Sequence, residues 1–330
     1  MKVPHIIGAD LSKKSIDFAS HQFKRHLKVE NSMSGFQEMV RWLEKQNIDI
    51  PTTLIVMEHT GLYSYQLEQF LHQKHISFAK VSALAIKRSM GLVRGKSDKL
   101  DAFRIAQYGF EKADRLVIAK PVGKSLERLQ MLYSTRQRLV KNRAGLIAVV
   151  KEYQQACGLK KSDTIIAGQL RLIKLLSHEI DKLNGEMDII VTQEPSLNKN
   201  FILQQSVKGI GKVIALAMII KTANFTRFTK ARKFACHCGT APFEHTSGTS
   251  IRGKTRISHL ADKQMKTLLD LAAKSAIQYD KELHEYYLNR TQNGKPKMST
   301  INVVRNKLLS RIFAVIKRQT PFVENYLQAA

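Results

Sequence analysis

HIIGADL, at His5–Leu11, is an apolar run that ends beside a carboxylate, Asp10. Two runs in which apolar and polar residues alternate follow it closely, at residues 15–21 and 26–29. Alternation with a period of two is typical of strands that have one buried face, and short connections favour pairing between neighbours. The sequence therefore predicts that the chain begins with a meander of three strands.

Helical and strand patterns alternate after this meander. Residues 36–43 and 63–73 carry apolar side chains at helical spacing, whereas residues 53–57 and 76–81 are short apolar runs typical of strands. Strands that first form a meander and then alternate with helices predict a mixed sheet flanked by helices, as in ribonuclease-H-like domains. We expect this α/β domain to span residues 1–115.

The charge of the chain indicates its kind of partner. The 330 residues contain 54 lysines and arginines against 27 aspartates and glutamates, which gives a net charge of +27 and an isoelectric point near 10.0. So positive a field attracts polyanions, and nucleic acid is the expected partner. The alternatives are a basic protein with no such partner and one that touches an anionic membrane surface.

The sequence gives no sign of a membrane anchor or of secretion. Its longest apolar stretch, residues 213–220, is far shorter than the ~20 residues that span a bilayer, and residues 1–20 lack a signal-peptide pattern. The three cysteines, Cys157, Cys236 and Cys238, are an odd number in a long chain and argue against a disulfide framework. We expect a cytoplasmic protein that does not bind membranes.

A long helical hairpin is predicted for the middle of the chain. Residues 116–200 carry apolar side chains at helical spacing and no strand pattern. Residues 120–174 contain 12 lysines and arginines but 3 aspartates and glutamates, and this excess favours a surface that faces nucleic acid. A coiled dimerisation arm is the alternative. The candidate contacts are Arg136, Arg138, Lys141 and Arg143.

A glycine-rich turn opens the last, mainly helical domain, which we place at residues 201–330. Lys208, Gly209, Gly211 and Lys212 precede the apolar helical run 213–220. Glycines allow close approach of a phosphate, which the free amides at a helix N-terminus can bind. The sharper hypothesis is a helix-hairpin-helix contact to DNA; a plain tight turn is almost as good an interpretation.

Four carboxylates stand at positions that could share a metal ion. Asp10 ends the first strand, Glu58 ends the strand at 53–57, and Asp98 and Asp101 have the i, i+3 spacing that places side chains on one face of a helix. Phosphodiester cleavage uses hard cations held by oxygen ligands, and magnesium is the expected ion. Alternatively, each residue is an isolated cap or surface group.

A polar, glycine-bearing and basic stretch, residues 241–258, is predicted to be a loop. Arg252, Lys254 and Arg256 alternate within it and could bind a phosphate. A serine of this loop could act as a nucleophile, since nearby cations stabilise the alkoxide that attacks. Cys236 and Cys238 lack the two to four intervening residues of a zinc pair, so we expect them to be buried.

Together these motifs resemble a known family, the DEDD insertion-sequence transposases (the insertion-sequence one-ten family, with the Piv and MooV invertases as relatives). The resemblance follows the chain in order over nearly its whole length. The matching segments are GAD at 8–10, MEHTG at 57–61, KSDKLDA at 96–102, GIG at 209–211, CGTAP at 238–242 and SG at 247–248.

The resemblance implies a fold, a site and partners. It implies a RuvC-type ribonuclease-H domain joined through helices to a transposase domain, with Asp10, Glu58, Asp98 and Asp101 as metal ligands. It also implies that Ser247 is the nucleophile, although Thr246 and Ser250 compete for that role and His245 could be its base. Some members of the family work with a structured RNA that pairs with donor and target DNA.

The leading hypothesis is a recombinase that cuts and rejoins DNA through a phosphoserine intermediate. The alternatives are a site-specific invertase of the same family, a metal-dependent RuvC-like nuclease that uses water, and a nucleic-acid-binding protein without catalysis. Because recombining two duplexes needs at least two active centres, we expect a homodimer that pairs into a tetramer on DNA.

Overall fold

The computed structural model describes residues 5–91, 95–247 and 251–324. For residues 245–247, 251, 252 and 254 it describes only the backbone. The chain divides into two compact units, Met1–Pro121 and Val122–Ala330. None of the described helices is long and apolar enough to cross a membrane.

The first unit contains a five-stranded mixed sheet in the order β3-β2-β1-β4-β5. The first three strands form the predicted antiparallel meander, and β4 and β5 run parallel to β1. Each observed strand begins or ends within one residue of its predicted range. The strands are β1 (His5–Leu11), β2 (Ser15–Ser20), β3 (His26–Glu30), β4 (Thr53–Glu58) and β5 (Ser77–Val81).

Helices cover both faces of this sheet, because successive strand residues point to opposite sides. Ile7, Ala9 and Met57 belong to the core that includes α1 and α2, whereas Ile6 and Val56 pack with Ile105 of α4. The helices of this unit are α1 (Met33–Lys45), α2 (Tyr65–Gln73), α3 (Ala83–Ser89) and α4 (Asp98–Glu111), and a 3₁₀ turn, Gly61–Ser64, precedes α2.

Helix α4 lies unusually close to the central strand. A Cβ on Gly8 would be 2.2 Å from the carbonyl oxygen of Ala102 and 2.4 Å from the amide nitrogen of Ala106. On Gly109 it would be 2.7 Å from Cγ2 of Val56. Real Cβ atoms do not come this near to backbone, so small residues at these positions allow the helix to rest on β1.

The second unit is mostly helical and begins with the predicted helical hairpin, α5 (Lys124–Ala156) and α6 (Thr164–Gln193). The turn at 206–211 leads into a helix at the predicted position, α8, which is almost wholly buried. The other elements are α7 (Pro195–Gln205), α8 (Lys212–Thr222), α9 (Ala231–His237), β6 (Pro242–Ser247), β7 (Ile251–Ile257), α10 (Lys263–Tyr279), α11 (Lys281–Gln292) and α12 (Lys297–Arg318).

The prediction of a loop at residues 241–258 is wrong, because most of this stretch forms an antiparallel hairpin of β6 and β7. Backbone hydrogen bonds hold such a pair together, and it needs no apolar face when both sides meet solvent. Phe243, Glu244, Thr255 and Arg256 are exposed. This mixture of aromatic, acidic, polar and basic side chains at exposed positions carries no alternation that sequence reasoning could detect.

Candidate catalytic site and nucleic-acid interface

Strand register brings two of the predicted carboxylates to the same edge of the sheet. Ala9 of β1 is paired with Met57 of the parallel strand β4, so Asp10 and Glu58, one residue further along, are neighbours on one face. This is the face on which α4 packs at Gly8. Asp10 and Glu58 therefore lie where the carboxyl ends of β1 and β4 meet the start of α4.

The other two carboxylates lie in the first turn of α4. Ser97 caps this helix, and its hydroxyl accepts a hydrogen bond from the Leu100 amide at 3.3 Å. Asp98 and Asp101 follow the cap, where negative side chains interact favourably with the helix dipole. A single cap thus fixes where both side chains start.

Asp10 is subject to the charge of all its acidic neighbours. Burial raises the pKa of Asp10 to about 6, with further contributions from the carboxylates of Asp101, Asp98, Glu58 and Asp17 in that order. Each neighbour disfavours a second negative charge close by. The four carboxylates predicted from the sequence therefore act on one another electrostatically.

A basic side chain lies close to each of the two carboxylates of α4. The Arg104 guanidinium donates to Asp101 at 2.7 Å, and Lys28 Nζ lies 4.0 Å from the nearer oxygen of Asp98. Within the described parts of the chain, no three histidine, cysteine, aspartate or glutamate side chains are close enough together to hold one metal ion. The Arg104 guanidinium therefore competes with a cation for one carboxylate oxygen of Asp101.

The donor set nevertheless suits a hard divalent cation. Carboxylate oxygens are the ligands that magnesium and calcium prefer. The repulsion that raises the pKa of Asp10 is relieved when a cation binds among these groups. Asp10, Glu58, Asp98 and Asp101 thus fit a metal in their chemistry, once the side chains reorient.

Asp17 is a fifth carboxylate of this site, and sequence reasoning missed it. It lies opposite Asp10 in the β1–β2 register and is 3% exposed. His26 Nε2 is 2.7 Å and Lys28 Nζ 3.7 Å from its carboxylate oxygens. Because Asp17 lies within an alternating strand and outside any motif, only the register between the two strands could have indicated its place.

Ser247 is the last residue of β6, where it pairs with Ile251 of β7. Its side chain lies outside the described part of the structure, as do those of His245, Thr246, Arg252 and Lys254. Gly248 and Ser250 lie outside the described residues altogether. The exposed Arg256 pairs with Phe243 across the hairpin.

The four basic residues predicted on α5 fall into two groups. Arg138 and Lys141 are exposed to solvent. Arg136 Nε donates to the Asn184 side chain at 2.6 Å, and Arg143 Nη1 donates to the Ser177 hydroxyl at 3.0 Å. Arg136 and Arg143 therefore help to join α5 to α6, in addition to any role with nucleic acid.

Packing accounts for part of the glycine turn before α8. Gly209 has a φ of +90°, and a Cβ there would be 2.7 Å from the Ala272 carbonyl oxygen of α10. Gly211 is the N-cap of α8, and a Cβ on it would meet nothing within 4 Å. Lys208 forms an ion pair with Glu324, and Lys212 lies 3.6 Å from Asp188.

Comparison with known proteins identifies the family. Residues 7–153 match the family model of DEDD transposases of the IS110 type, and residues 203–288 match the Transposase IS116/IS110/IS902 family. The chain belongs to this transposase family. The first match contains Asp10, Glu58, Asp98 and Asp101, and the second contains Ser247.

Full-length relatives agree with this assignment. A pilin gene-inverting protein of Moraxella bovis is 27% identical over 96% of this chain and 97% of its own length. A probable family 20 transposase of Pseudomonas aeruginosa is 23% identical over 95% and 97%, respectively. The transposase for insertion sequence element IS1111A of Coxiella burnetii is 25% identical over 69% and 68%. The likeness to inverting and transposing proteins extends through both units.

Proposed function

We propose that this transposase-family protein cuts and rejoins DNA strands with a magnesium-binding carboxylate site and a serine nucleophile. The observation that carries the proposal is that Asp10 and Glu58 meet the start of α4 at one edge of the sheet, where burial and the charges of Asp101, Asp98 and Glu58 raise the pKa of Asp10. Clusters of mutually repelling carboxylates are typical of sites built for cations.

We further propose a RuvC-like ribonuclease-H fold for the first domain, residues 1–115. The mixed sheet with its antiparallel meander and two parallel strands, and the helix that carries two carboxylates to its edge, support this assignment. Residues 116–200 would be a helical linker, and residues 201–330 the transposase domain with a helix-hairpin-helix-like turn.

The carboxylates would hold the metal and position the scissile phosphate. A bound magnesium ion would supply positive charge for the oxygens that become more negative during displacement at phosphorus. Arg104 would release Asp101 for ligation, and Lys28 would remain beside Asp17. The carboxylates would therefore orient the phosphate through the bound ion, and the ion would neutralise part of the phosphate charge.

Ser247 would perform the covalent step. Its oxygen attacks phosphorus and loses its proton, the phosphorus–oxygen bond to one sugar breaks, and that sugar oxygen gains a proton. The phosphoserine conserves the phosphodiester bond energy until a hydroxyl of another strand attacks and releases the serine. Arg252, Lys254 and Arg256, on the same hairpin, would stabilise the charge on the phosphorus oxygens.

The partners in this proposal are donor and target DNA, together with a structured guide RNA. Lys208, Gly209, Gly211 and Lys212, with the basic residues of α5, would contact nucleic acid. The active assembly would be a cytoplasmic homodimer that pairs into a tetramer on DNA. Inversion is the second candidate outcome, favoured by the likeness to the Moraxella pilin gene-inverting protein.

Single substitutions test this proposal. Asp10→Asn, Glu58→Gln, Asp98→Asn and Asp101→Asn should each abolish strand cleavage and leave DNA binding largely intact, because each removes a metal-ligand charge with little change of shape. Cleavage and gel-shift assays on the protein's co-purifying nucleic acid measure both. Wild-type cleavage by Asp10→Asn would contradict the metal model, and cleavage by the wild type without a serine adduct would favour a water-using nuclease.

A further inference from the structure

The second unit contains a cavity of about 220 Å³ between α5, α6, α7 and α8. Its floor is apolar and includes Tyr133, Met187 and Val191, each less than 5% exposed. Its rim is polar and is formed by Arg136, Asn184, Asp188 and Lys212. An apolar floor below a few polar groups is the usual composition of a ligand site.

Arg136 carries a positive charge that no ion pair neutralises within the described part of the chain, although Asp181 acts on it from further away. Burial lowers the pKa of Arg136, which means that its cationic form is poorly solvated. Its Nε donates to the Asn184 side chain at 2.6 Å, and the described residues supply no carboxylate within 4.0 Å of the guanidinium. A partly buried cation of this kind favours an anionic ligand.

The rim offers further groups for an anion. Lys212 lines the cavity at the first position of α8, the end of a helix at which the helix dipole favours an anion. Asp188 lies 3.6 Å from Lys212 and would compete with an incoming anion for it. A substitution at the rim can therefore either strengthen or weaken the binding of an anion.

The floor contains an aromatic ring with an unsatisfied polar group. The hydroxyl of Tyr133 is buried without a well-formed hydrogen bond, and burial raises the pKa of Tyr133 to about 12 although the nearby Gln137 side chain acts to lower it. Phe201 also lines the cavity. Aromatic surfaces stack with bases, and the partly exposed Phe201 offers such a surface to a bound base.

We propose that this cavity binds one unpaired nucleotide, with its phosphate at Arg136, Lys212 and the start of α8, and its base on the apolar floor. The proposal rests on the proposed function, since a recombinase must open duplexes and hold unpaired strands. The volume is below the ~300–1,000 Å³ of pockets that enclose drug-sized ligands. A single base fits that limit better than a longer piece of strand.

Binding of thymidine 5′-monophosphate to the full-length chain, measured by calorimetry at low salt, tests the proposal. Arg136→Met should weaken binding about tenfold, the effect of losing one charge-assisted contact. Lys151→Met, on the same helix but exposed and away from the cavity, is the matched control and should bind as the wild type does. Asp188→Asn should bind more tightly because Lys212 loses its competing partner.

The controls separate the nucleotide from its parts. Inorganic phosphate and thymidine should each bind more weakly than the nucleotide, and a short oligothymidylate should displace it. Equal losses in Arg136→Met and Lys151→Met, equal binding of phosphate and nucleotide, or failure of the oligonucleotide to compete would overturn the proposal. Asp188→Asn remains decisive if Arg136→Met does not fold.

These results are independent of the cleavage site. Asp10→Asn lies in the other unit and should retain nucleotide binding while it loses cleavage. If the wild type cleaves DNA but neither Arg136→Met nor Asp188→Asn changes nucleotide binding, the cavity proposal alone is wrong. Nucleotide binding without metal-dependent cleavage would instead remove the proposed function alone.

Discussion

Asp10 combines partial burial with four acidic neighbours, and both features disfavour its ionised form. Its folded-state pKa of about 6 is above the ordinary value of 3.8, so protonation favours the folded state. The stabilising contribution is complete below about pH 4 and is lost as the pH rises through about 6. At neutral pH the ionised side chain therefore opposes folding unless a cation is bound.

Replacing Asp10 should accordingly stabilise the metal-free protein. Asp10→Asn should raise the thermal midpoint at pH 8 and have little effect at pH 4, because only the higher pH ionises the wild-type side chain. The measurement is thermal unfolding in a chelator at both pH values. Asp49→Asn, at an exposed position, is the control. A fall of the midpoint at pH 8 would contradict the electrostatic description of the site.

Magnesium should reverse that difference. At pH 8 it should raise the thermal midpoint of the wild type, with a gain near 1.4 kcal/mol when its concentration is about ten times the dissociation constant. Asp10→Asn should show little gain, because a ligand charge is missing. The same unfolding assay with added magnesium chloride measures both. An equal response of the two proteins would place the cation elsewhere.

The packing of α4 depends on a residue with no side chain. Gly8→Ala should lower the free energy of unfolding by roughly 1–3 kcal/mol, since the new Cβ meets the backbone of Ala102 and Ala106. It should also reduce cleavage, because Asp98 and Asp101 move with the helix. Gly185→Ala in α6, where a Cβ meets nothing within 4 Å, should raise stability by up to about 1 kcal/mol.

Denaturant unfolding of the two variants decides this point. Equal stabilities of Gly8→Ala and the wild type would mean that α4 and β1 are further apart than described. Wild-type cleavage by a destabilised Gly8→Ala protein would show that the position of the carboxylates does not depend on this helix packing.

Helix α5 should contribute to nucleic-acid binding through its exposed cations. Log affinity for duplex DNA falls against log salt with a slope of roughly 0.9 per phosphate contact. Arg138→Gln with Lys141→Gln should therefore flatten that slope by up to about 2 units. Arg41→Gln with Lys45→Gln, on exposed positions of α1, removes equal charge and serves as the control. An unchanged slope would exclude α5 from the binding surface.

Elements with strong periodicity were predictable from the sequence, and those held mainly by the backbone were not. The strands β1 to β5 and the α5–α6 hairpin carry apolar side chains at clear spacing. The hairpin of β6 and β7 carries mostly polar and basic side chains, and this composition predicts a loop. The pairing of Asp98 with Asp101 was predictable from their i, i+3 spacing, and that of Asp10 with Glu58 from the strand ends. Asp17 and the Arg104 ion pair depend on register and side-chain contacts that the sequence does not contain.

At the scale of the whole molecule, the proposed reaction requires residues from both units. Asp10, Glu58, Asp98 and Asp101 belong to Met1–Pro121, and Ser247 belongs to Val122–Ala330. Both sets must meet on one phosphate for a serine-linked cleavage. In an oligomer, one subunit can supply the carboxylates and another the serine.

Mixed oligomers test whether the two sets come from different subunits. An Asp10→Asn protein mixed with a Ser247→Ala protein should recover part of the wild-type cleavage, because some sites in the mixture combine two intact halves. Co-purification through two different affinity tags verifies the mixed assembly, and each variant alone is the control. Complete inactivity of that assembly would show that each site is built within one chain.

The most direct test of the central claim is to detect DNA joined to Ser247. The protein would be purified under denaturing conditions from cells that carry its gene with the native flanking DNA, digested with nuclease and protease, and analysed by mass spectrometry. The wild type should yield a peptide with a nucleotide linked to Ser247, and Ser247→Ala and Asp10→Asn should yield none. Recombination by Ser247→Ala at the wild-type rate, or a nucleotide linked to another residue in the wild type, would contradict the account.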